Sequence, residues 1–310
     1  MSPFPLLRLP GVVLCELFKS LSIGEKINLS LCSKKSSIQI NNDRLYSQRV
    51  IVDLVYLGQK IRVHSENEKD TYAIFISPDS WKSNDSNTQQ FSIACCSVRG
   101  TSFSIGIDTF WKNQQEGFLF NIRHLLKMLQ CTISTSVSCY ESDLYGPIIS
   151  ELFDLQVEFK AFTILLNKHL LFKQMSSNFG RLENLRIISV ANPGFSPVFH
   201  SWPQKIRIGS SYWFTVEFLL ACTCTHITLE ESCLENKDLD EVLKNWMVGG
   251  LPNLKYLKIH SLRSTNNGDH ILGMDWSELN GMVIQTDDGS KKATIKLTPF
   301  WIEMDVIPFE

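Results

Sequence analysis

Two nine-residue segments of this chain share one pattern, and that pattern constrains the fold more than any other feature of the sequence. Residues 182–190 read LENLRIISV and residues 251–259 read LPNLKYLKI, so both follow Leu-x-Asn-Leu-basic-x-aliphatic-x-aliphatic. In leucine-rich-type repeats, an entry of this kind turns its leucines into a core while alternate strand residues face outward. The pattern therefore predicts an irregular leucine-rich-repeat-like stack of strands and helices. The alternative is an ordinary α/β domain.

Other aliphatic pairs keep a loosely similar spacing. The pairs predicted to point inward are Phe162/Ile164, Ile188/Val190, Ile206/Ile208, Ile227/Leu229 and Leu257/Ile259. They recur at about 18–30 residues, against about 20–29 for such repeats. Residues 118–129 and 237–247 are predicted helices between strands, and the second carries an apolar face. That face comprises Leu239, Val242, Leu243 and Trp246.

The first forty residues predict two short helices. Leu9-Pro10 suits a first helical turn, and apolar residues then recur at three- and four-residue spacing at Val13, Leu14, Leu17, Phe18 and Leu21. A capping box between Ser22 and Glu25 begins the second helix. A unit of this size buries little surface alone, so part of the apolar face is expected to meet a partner. Packing against the rest of the same chain is the alternative.

The remaining segments are rich in strand signals. Residues 47–111 contain β-branched and aromatic runs at 50–57, 72–76, 91–94 and 102–107, separated by polar loops at 65–70 and 82–88. Near the end, Asp288-Gly289 separates 282–286 from 293–297 and predicts a β-hairpin. We expect this hairpin to cover the last open edge of the parallel stack. The predicted fold class is thus α+β to α/β.

Composition limits the compartment and the partners. The chain is 44% hydrophobic and 20% charged, which is typical of a globular protein, and it lacks an apolar run near the ~20 residues that span a bilayer. The first residues do not resemble a signal peptide, so we expect a cytoplasmic or nuclear protein without membrane contact. The net charge is −2 and there is no basic stripe, which argues against nucleic acid. Nine cysteines without an export signal predict reduced thiols.

No motif names a reaction. Cys222, Cys224 and His226 have soft ligand atoms at close spacing, but a structural zinc site needs four ligands and Cys233 is merely nearby. P-loop, nucleophile-elbow, zinc-protease and dinucleotide-binding motifs are all missing from the sequence. We therefore predict no metal, no cofactor and no catalytic residue. An enzyme with an unrecognised site is a further alternative.

Two regions resemble parts of a known family. Residues 3–40, with FPLLRLP at 4–10 and INLSLCSKK at 27–35, resemble the F-box of the large nematode family of F-box proteins. Gly11 and Ser36-Ser37 depart from that pattern, where many F-boxes have an acidic residue and an aromatic one. Residues 120–262, above all LKNWMVGG at 243–250, resemble the type-2 F-box-associated domain of the same family.

The resemblance implies a non-catalytic substrate receptor of a Skp-cullin-F-box ubiquitin ligase. It implies four regions, namely an F-box at 1–42, a β-rich connecting segment at 43–117, an F-box-associated domain at 118–265 and a hairpin cap at 266–310. It also implies that the helices bind a Skp-type adaptor and, through it, a cullin. The adaptor-binding residues so implied are Leu9, Pro10, Val13, Leu14, Leu17, Phe18, Ile27, Leu31 and Lys34. The alternative is a stand-alone interaction protein that recruits no ligase.

Strand alternation predicts where an unknown protein substrate binds. If the aliphatic pairs point inward, their neighbours face outward, and one outward row comprises Ser189, Arg207, Thr228 and Lys258. The flanking rows are Ile187, Lys205, His226, Tyr256 on one side and Ala191, Gly209, Glu230, His260 on the other. This mildly basic face predicts a site for an acidic or phosphorylated segment, with Arg207, Thr228, Tyr256, Lys258 and His260 as its residues. A solvated face without a partner is the alternative.

Overall fold

The computed structural model is a mixed α/β protein with N-terminal helices followed by strand-rich sheets. It describes residues 8–42, 50–55, 59–65, 69–81, 89–90, 95–101, 104–129, 134–139, 145–155, 159–166, 172–173, 175–189, 197–263, 270–298 and 300–308. Contacts group the chain into an N-terminal unit, residues 1–138 with 143–159, and a C-terminal unit, residues 139–142 with 160–310. This contact boundary lies further along the chain than the predicted 117/118 boundary. The four-part division by function remains a prediction.

Three helices open the N-terminal unit: α1 (Gly11–Ser20), α2 (Ile23–Cys32) and α3 (Lys34–Asn42). The predicted capping box is confirmed at the start of α2. The Glu25 backbone N–H donates to Ser22 Oγ at 3.3 Å, and the Glu25 carboxylate accepts from the Ser22 backbone N–H at 2.8 Å. The hydrogen bonds that the Ser22 backbone N–H and the Ser22 hydroxyl donate to the Glu25 carboxylate also lower the pKa of Glu25.

A sheet and two further helices complete this unit. The strands are β1 (Val50–Val55), β2 (Lys60–Ser65), β3 (Thr71–Pro78), β4 (Gln89–Gln90), β5 (Cys95–Thr101), β6 (Ser104–Trp111) and β7 (Ser134–Cys139). Their order is β7-β1-β2-β3-β6-β5-β4, with β1/β7 and β3/β6 parallel. The helices are α4 (Gln114–Leu129) and α5 (Tyr145–Leu155). Strands β2, β4, β5 and β7 were not predicted. The predicted strand at 91–94 and the predicted loop at 82–88 lie outside the described residues.

The N-terminal helices pack on the strands and helices of their own unit. Helix α2 contacts β3, and α3 contacts α4. The Ile23 backbone N–H donates to Asp70 at 2.8 Å, the Tyr72 hydroxyl donates to Asn28 at 2.5 Å, and other contacts include a 2.8 Å hydrogen bond between Ser30 and the His124 ring. Much of the apolar stripe read from the sequence is therefore buried inside the chain, as the alternative interpretation expected.

One close approach depends on a glycine. A Cβ at Gly24 would lie closer to the Tyr72 ring than van der Waals contact allows, whereas a Cβ at Gly11 would meet nothing within 4 Å. Replacing Gly24 with alanine is therefore expected to lower the free energy of unfolding by about 1–3 kcal/mol through overpacking. Urea denaturation of the full-length chain measures the change. Gly11→Ala is the matched control on the neighbouring helix, and an equal stability of the two variants would contradict the packing described here.

The C-terminal unit is built on its own set of strands. Its strands are β8 (Phe159–Leu166), β9 (Leu182–Ser189), β10 (Lys205–Ile208), β11 (His226–Ser232), β12 (Tyr256–Ser261), β13 (Val283–Gln285), β14 (Lys291–Leu297) and β15 (Trp301–Pro308). The order is β13-β14-β15-β12-β11-β10-β9-β8, and β9 to β12 are parallel neighbours. The α-helices α6 (Val216–Ala221) and α7 (Asn236–Met247) connect them. Leucine-rich-repeat character is not confirmed.

The predicted inward pairs are confirmed on four strands and wrong on one. Both members of Phe162/Ile164, Ile206/Ile208, Ile227/Leu229 and Leu257/Ile259 are buried. On β9, however, Leu185 and Ile187 are buried while Ile188 is only half-buried, and Val190 lies outside the described residues. Segment 185–188 offers aliphatic side chains to both faces, so alternation alone did not decide its register. Arg186, rather than Ser189, is consequently the β9 neighbour of Arg207.

The C-terminal hairpin is confirmed, but it does not pair with the last parallel strand, as was predicted. Strands β13 and β14 pair antiparallel across a turn in which Gly289 has a φ of 72°, a value that favours glycine. The edge of β12 is covered by β15, which was not predicted, and β14 pairs with the far side of β15. None of the helices in the described part of the chain has the length and apolarity that a membrane-spanning helix needs.

Candidate functional site

A groove lies on the outward face of the C-terminal sheet. Arg207, Thr228 and Lys258 are aligned across β10, β11 and β12. Because Thr228 is short and its two neighbours are long, it forms a low point between them. The cavity has a volume of about 580 Å³ and is lined by Arg207, Thr228, Glu230, Glu231, Tyr256, Lys258, His260 and Trp301. The structure thus brings the five predicted substrate-binding residues together, and we call this cavity the sheet groove.

A β-bulge shapes one end of the sheet groove. The register of β11 and β12 shifts between Leu229 and Ser232, and Glu231 within the shift has a φ of 54°. Bulges re-aim side chains and are common beside functional sites. Here the bulge brings two successive carboxylates, those of Glu230 and Glu231, to the groove lining. Sequence reasoning placed Glu230 on this face, in the row of His260, but included neither Glu230 nor Glu231 among the substrate-binding residues.

The surface of β9 and β10, which borders the sheet groove and forms its β9/β10 side, is basic, although Arg186 on β9 is not part of the groove lining itself. Arg207 Nε donates to Glu230 at 2.8 Å, and Arg186 lies directly opposite Arg207 on the neighbouring strand. Among the described residues, Arg186 has no carboxylate within ion-pair distance, and its side chain is exposed. Burial and the positive charges of Lys205 and Lys255 lower the pKa of His226. The local potential on this side therefore favours an anion.

The β15 side of the sheet groove is aromatic. His260 stacks on Trp301 with ring centroids 4.8 Å apart, and Lys258 Nζ lies 4.7 Å from the Trp301 ring centroid and 3.6 Å from a Glu303 oxygen. The Tyr256 hydroxyl donates to Glu303, and burial together with this carboxylate raises the pKa of Tyr256. Tyr256 and Lys258 are therefore both held by the same acidic residue.

The predicted adaptor-binding residues fall into three groups by exposure. Pro10, Val13 and Lys34 are exposed, and Leu9 and Leu17 are half-buried. The other four, Leu14, Phe18, Ile27 and Leu31, are buried within the chain. Val12, which the sequence analysis did not select, has 78% of its surface exposed. Its position next to Val13, which the sequence analysis did select, was the signal that could have identified Val12.

Two of the cysteines in the cysteine-rich segment are buried next to each other. Cys222 and Cys224 are buried, and a hydrogen bond to Cys222 together with burial raises the pKa of Cys224. A thiol with a raised pKa is a poor nucleophile, because the thiolate is the reactive form. Within the residues that the structure describes, no three His, Cys, Asp or Glu side chains are grouped as metal ligands would be.

Comparison with known families finds matches in two regions of the chain. Residues 6–48 match the F-box domain and residues 199–259 match the F-box associated family. The first match contains α1 to α3, and the second contains β10, β11 and the first four residues of β12, which carry most of the groove lining. A search of curated proteins found no match, and a search of solved structures found none either.

The two matches define a class of protein. The chain has the combination of an F-box and an F-box-associated region, as the sequence resemblance implied. Proteins with this combination are typically non-catalytic substrate receptors, and the combination supports a general role as an F-box substrate adaptor of a ubiquitin ligase. The F-box itself supports binding of a Skp-type adaptor in a cullin complex.

Proposed function

We propose that this chain is the substrate-recognition subunit of a Skp-cullin-F-box ubiquitin ligase. The observation that carries the proposal is the F-box at 6–48 followed by an F-box-associated region whose strands form a groove. In this proposal the N-terminal helices bind the Skp-type adaptor and the sheet groove binds a protein substrate. The chemistry of ubiquitin transfer belongs to other subunits, and the chain acts in the cytoplasm or nucleus without a cofactor.

The adaptor contact is assigned to the exposed start of α1. The side chains of Val12 and Val13 are 78% and 47% exposed, and Pro10 and the half-buried Leu9 lie beside them in the chain. Adjacent exposed apolar residues favour a protein contact, and a few such residues supply most of the binding energy of an interface. Leu17 and Lys34 complete the proposed contact. Leu14, Phe18, Ile27 and Leu31 contribute by holding the helices in place.

The adaptor contact is tested by one charge substitution. Val13→Asp is expected to weaken capture of a purified Skp-type adaptor by at least tenfold, because it buries a carboxylate in an apolar interface. Affinity is measured by biolayer interferometry with the full-length chain. Val198→Asp, at a residue that is 61% exposed in the C-terminal unit, is the control and should bind normally. Unchanged capture by a folded Val13→Asp variant would remove this surface from the proposal.

A stand-alone interaction protein is the second candidate. The observation in its favour is that α2 and α3 pack on β3 and α4 of the same unit, so the helices need no adaptor to bury most of their apolar face. Reconstitution separates the candidates. The receptor proposal expects the chain to bridge a Skp-type adaptor and a cullin, whereas the second candidate expects capture of neither protein.

A further inference from the structure

We propose that the sheet groove binds an extended segment of the substrate that carries one carboxylate residue and, about five positions away, a large apolar residue. This inference rests on the proposed function, because it names the substrate chemistry of the same receptor. It follows from the charges of the β9/β10 side, from the apolar surface of the β15 side and from the distance between them.

The carboxylate is assigned to the pair of arginines on β9 and β10. Arg186 and Arg207 are directly opposed across parallel strands, and like charges in this position repel each other. Glu230 pairs with Arg207, whereas no carboxylate among the described residues lies within ion-pair distance of Arg186, so Arg186 can pair with a ligand. A carboxylate next to both guanidinium groups relieves the repulsion and accepts forked hydrogen bonds.

The charge balance favours a carboxylate over a phosphate. Two carboxylates, those of Glu230 and Glu231, line the groove, and Ser210 Oγ donates to Glu231 at 2.9 Å. A phosphoryl group carries about −1.5 to −2 charges at neutral pH, so beside Arg186 and Arg207 it would place about two negative charges near the carboxylates of Glu230 and Glu231. A ligand carboxylate, with one negative charge, meets less of this repulsion.

The apolar residue is assigned to the β15 side. Phe300 is 66% exposed, and its ring centroid lies 6.2 Å from that of His260, which itself stacks on Trp301. Leu262, directly after β12, is 64% exposed. An aromatic or large aliphatic side chain from a ligand would cover these rings, and large apolar residues are common interface anchors.

The spacing follows from sheet geometry. Between the two arginines and Trp301 lie β11 and β12, so a carboxylate placed between the arginines is about three and a half strand spacings from β15. At about 4.8 Å per strand spacing this is roughly 17 Å, and an extended chain advances about 3.3 Å per residue, which gives about five residues. The peptide runs across the strands, from the basic side to the aromatic side.

Fluorescence anisotropy with the full-length chain tests the inference. The probes are fluorescein-labelled peptides of Gly, Ser and Asn with one Glu and one Phe five positions apart, in both orders. We expect saturable binding that weakens at least tenfold when the peptide's Glu becomes Gln or its Phe becomes Gly. Arg186→Gln in the protein should cause a similar loss, with no further loss against the Gln peptide. Lys296→Gln removes a positive charge at an exposed position of β14, beyond β15 and away from the two arginines; it is the matched control and should bind normally.

Several results would overturn the inference. These are equal binding of the Glu and Gln peptides, normal binding by Arg186→Gln, absence of binding, or tighter binding when phosphoserine replaces Glu. The peptide substitutions require no change in the protein, so the test does not depend on folding of a variant. Adaptor capture is measured on the same preparation. Capture without a preference among peptides would end this inference alone, whereas failure of capture would end the proposed ligase function.

Discussion

Replacing Phe18 with alanine is expected to lower the free energy of unfolding of the N-terminal unit by about 3–5 kcal/mol. Phe18 has 0% of its surface exposed, and the loss combines the transfer free energy of the ring with the cavity left behind. The sequence interpretation placed this ring against the adaptor. Urea denaturation of the full-length chain, followed by circular dichroism, measures the change.

The control for this variant is Ile38→Ala on α3, where 55% of the side chain is exposed. It should shift stability by less than about 0.5 kcal/mol. A Phe18→Ala variant with normal stability and lost adaptor capture would return Phe18 to the interface. If Phe18→Ala loses stability as expected, weaker capture of the adaptor by this variant is explained by partial unfolding. Val13→Asp therefore remains the test of the interface itself.

Replacing Trp246 with alanine is expected to cost the C-terminal unit a similar amount, about 3–5 kcal/mol. Trp246 is 1% exposed and lies on the buried face of α7 with Leu239, Val242 and Leu243. The same denaturation experiment measures the effect. Val248→Ala, one residue after the end of α7 and 70% exposed, is the matched control. If both variants were equally stable, the helix face read from the sequence would not carry the core of this unit.

The features that could be predicted are those with local causes. The capping box at Ser22 needs two residues three positions apart, and the α7 face needs only a period of 3.6 residues. The turn at Gly289 needs a glycine that tolerates positive φ. The parallel rows of the sheet groove followed from Ile206/Ile208, Ile227/Leu229 and Leu257/Ile259, because strictly alternating strands have one possible inward face.

The features that could not be predicted depend on contacts between residues that are far apart in the sequence. The β9 register was ambiguous because Leu185, Ile187 and Ile188 offer aliphatic groups to both faces. Whether the apolar face of α2 meets a partner or its own chain depends on residues such as Asp70 and Tyr72, which lie outside the helical segment. The bulge that presents Glu230 and Glu231 results from pairing between β11 and β12.

One missed element did have a sequence signal. In β15, Ile302 and Met304 are buried while Glu303 and Asp305 are only partly so, and this apolar/polar alternation is typical of a half-buried strand. This pattern would have placed Trp301, Glu303 and Asp305 on one face of a strand, whereas their position beside β12 depends on the pairing of β15 with that strand.

The packing of α2 on β3 has a consequence for modularity. Residues 6–48 form a recognisable sequence block, yet Asp70, Tyr72 and His124, which hydrogen-bond to Ile23, Asn28 and Ser30, come from outside that block. Gene fusion or recombination that moved the block alone would separate these helices from Asp70, Tyr72 and His124 and from their packing neighbours β3 and α4. In this protein the segment that can be exchanged without loss of stability is therefore larger than residues 6–48. A recombination event that preserves stability has to transfer β3 and α4 together with the helices.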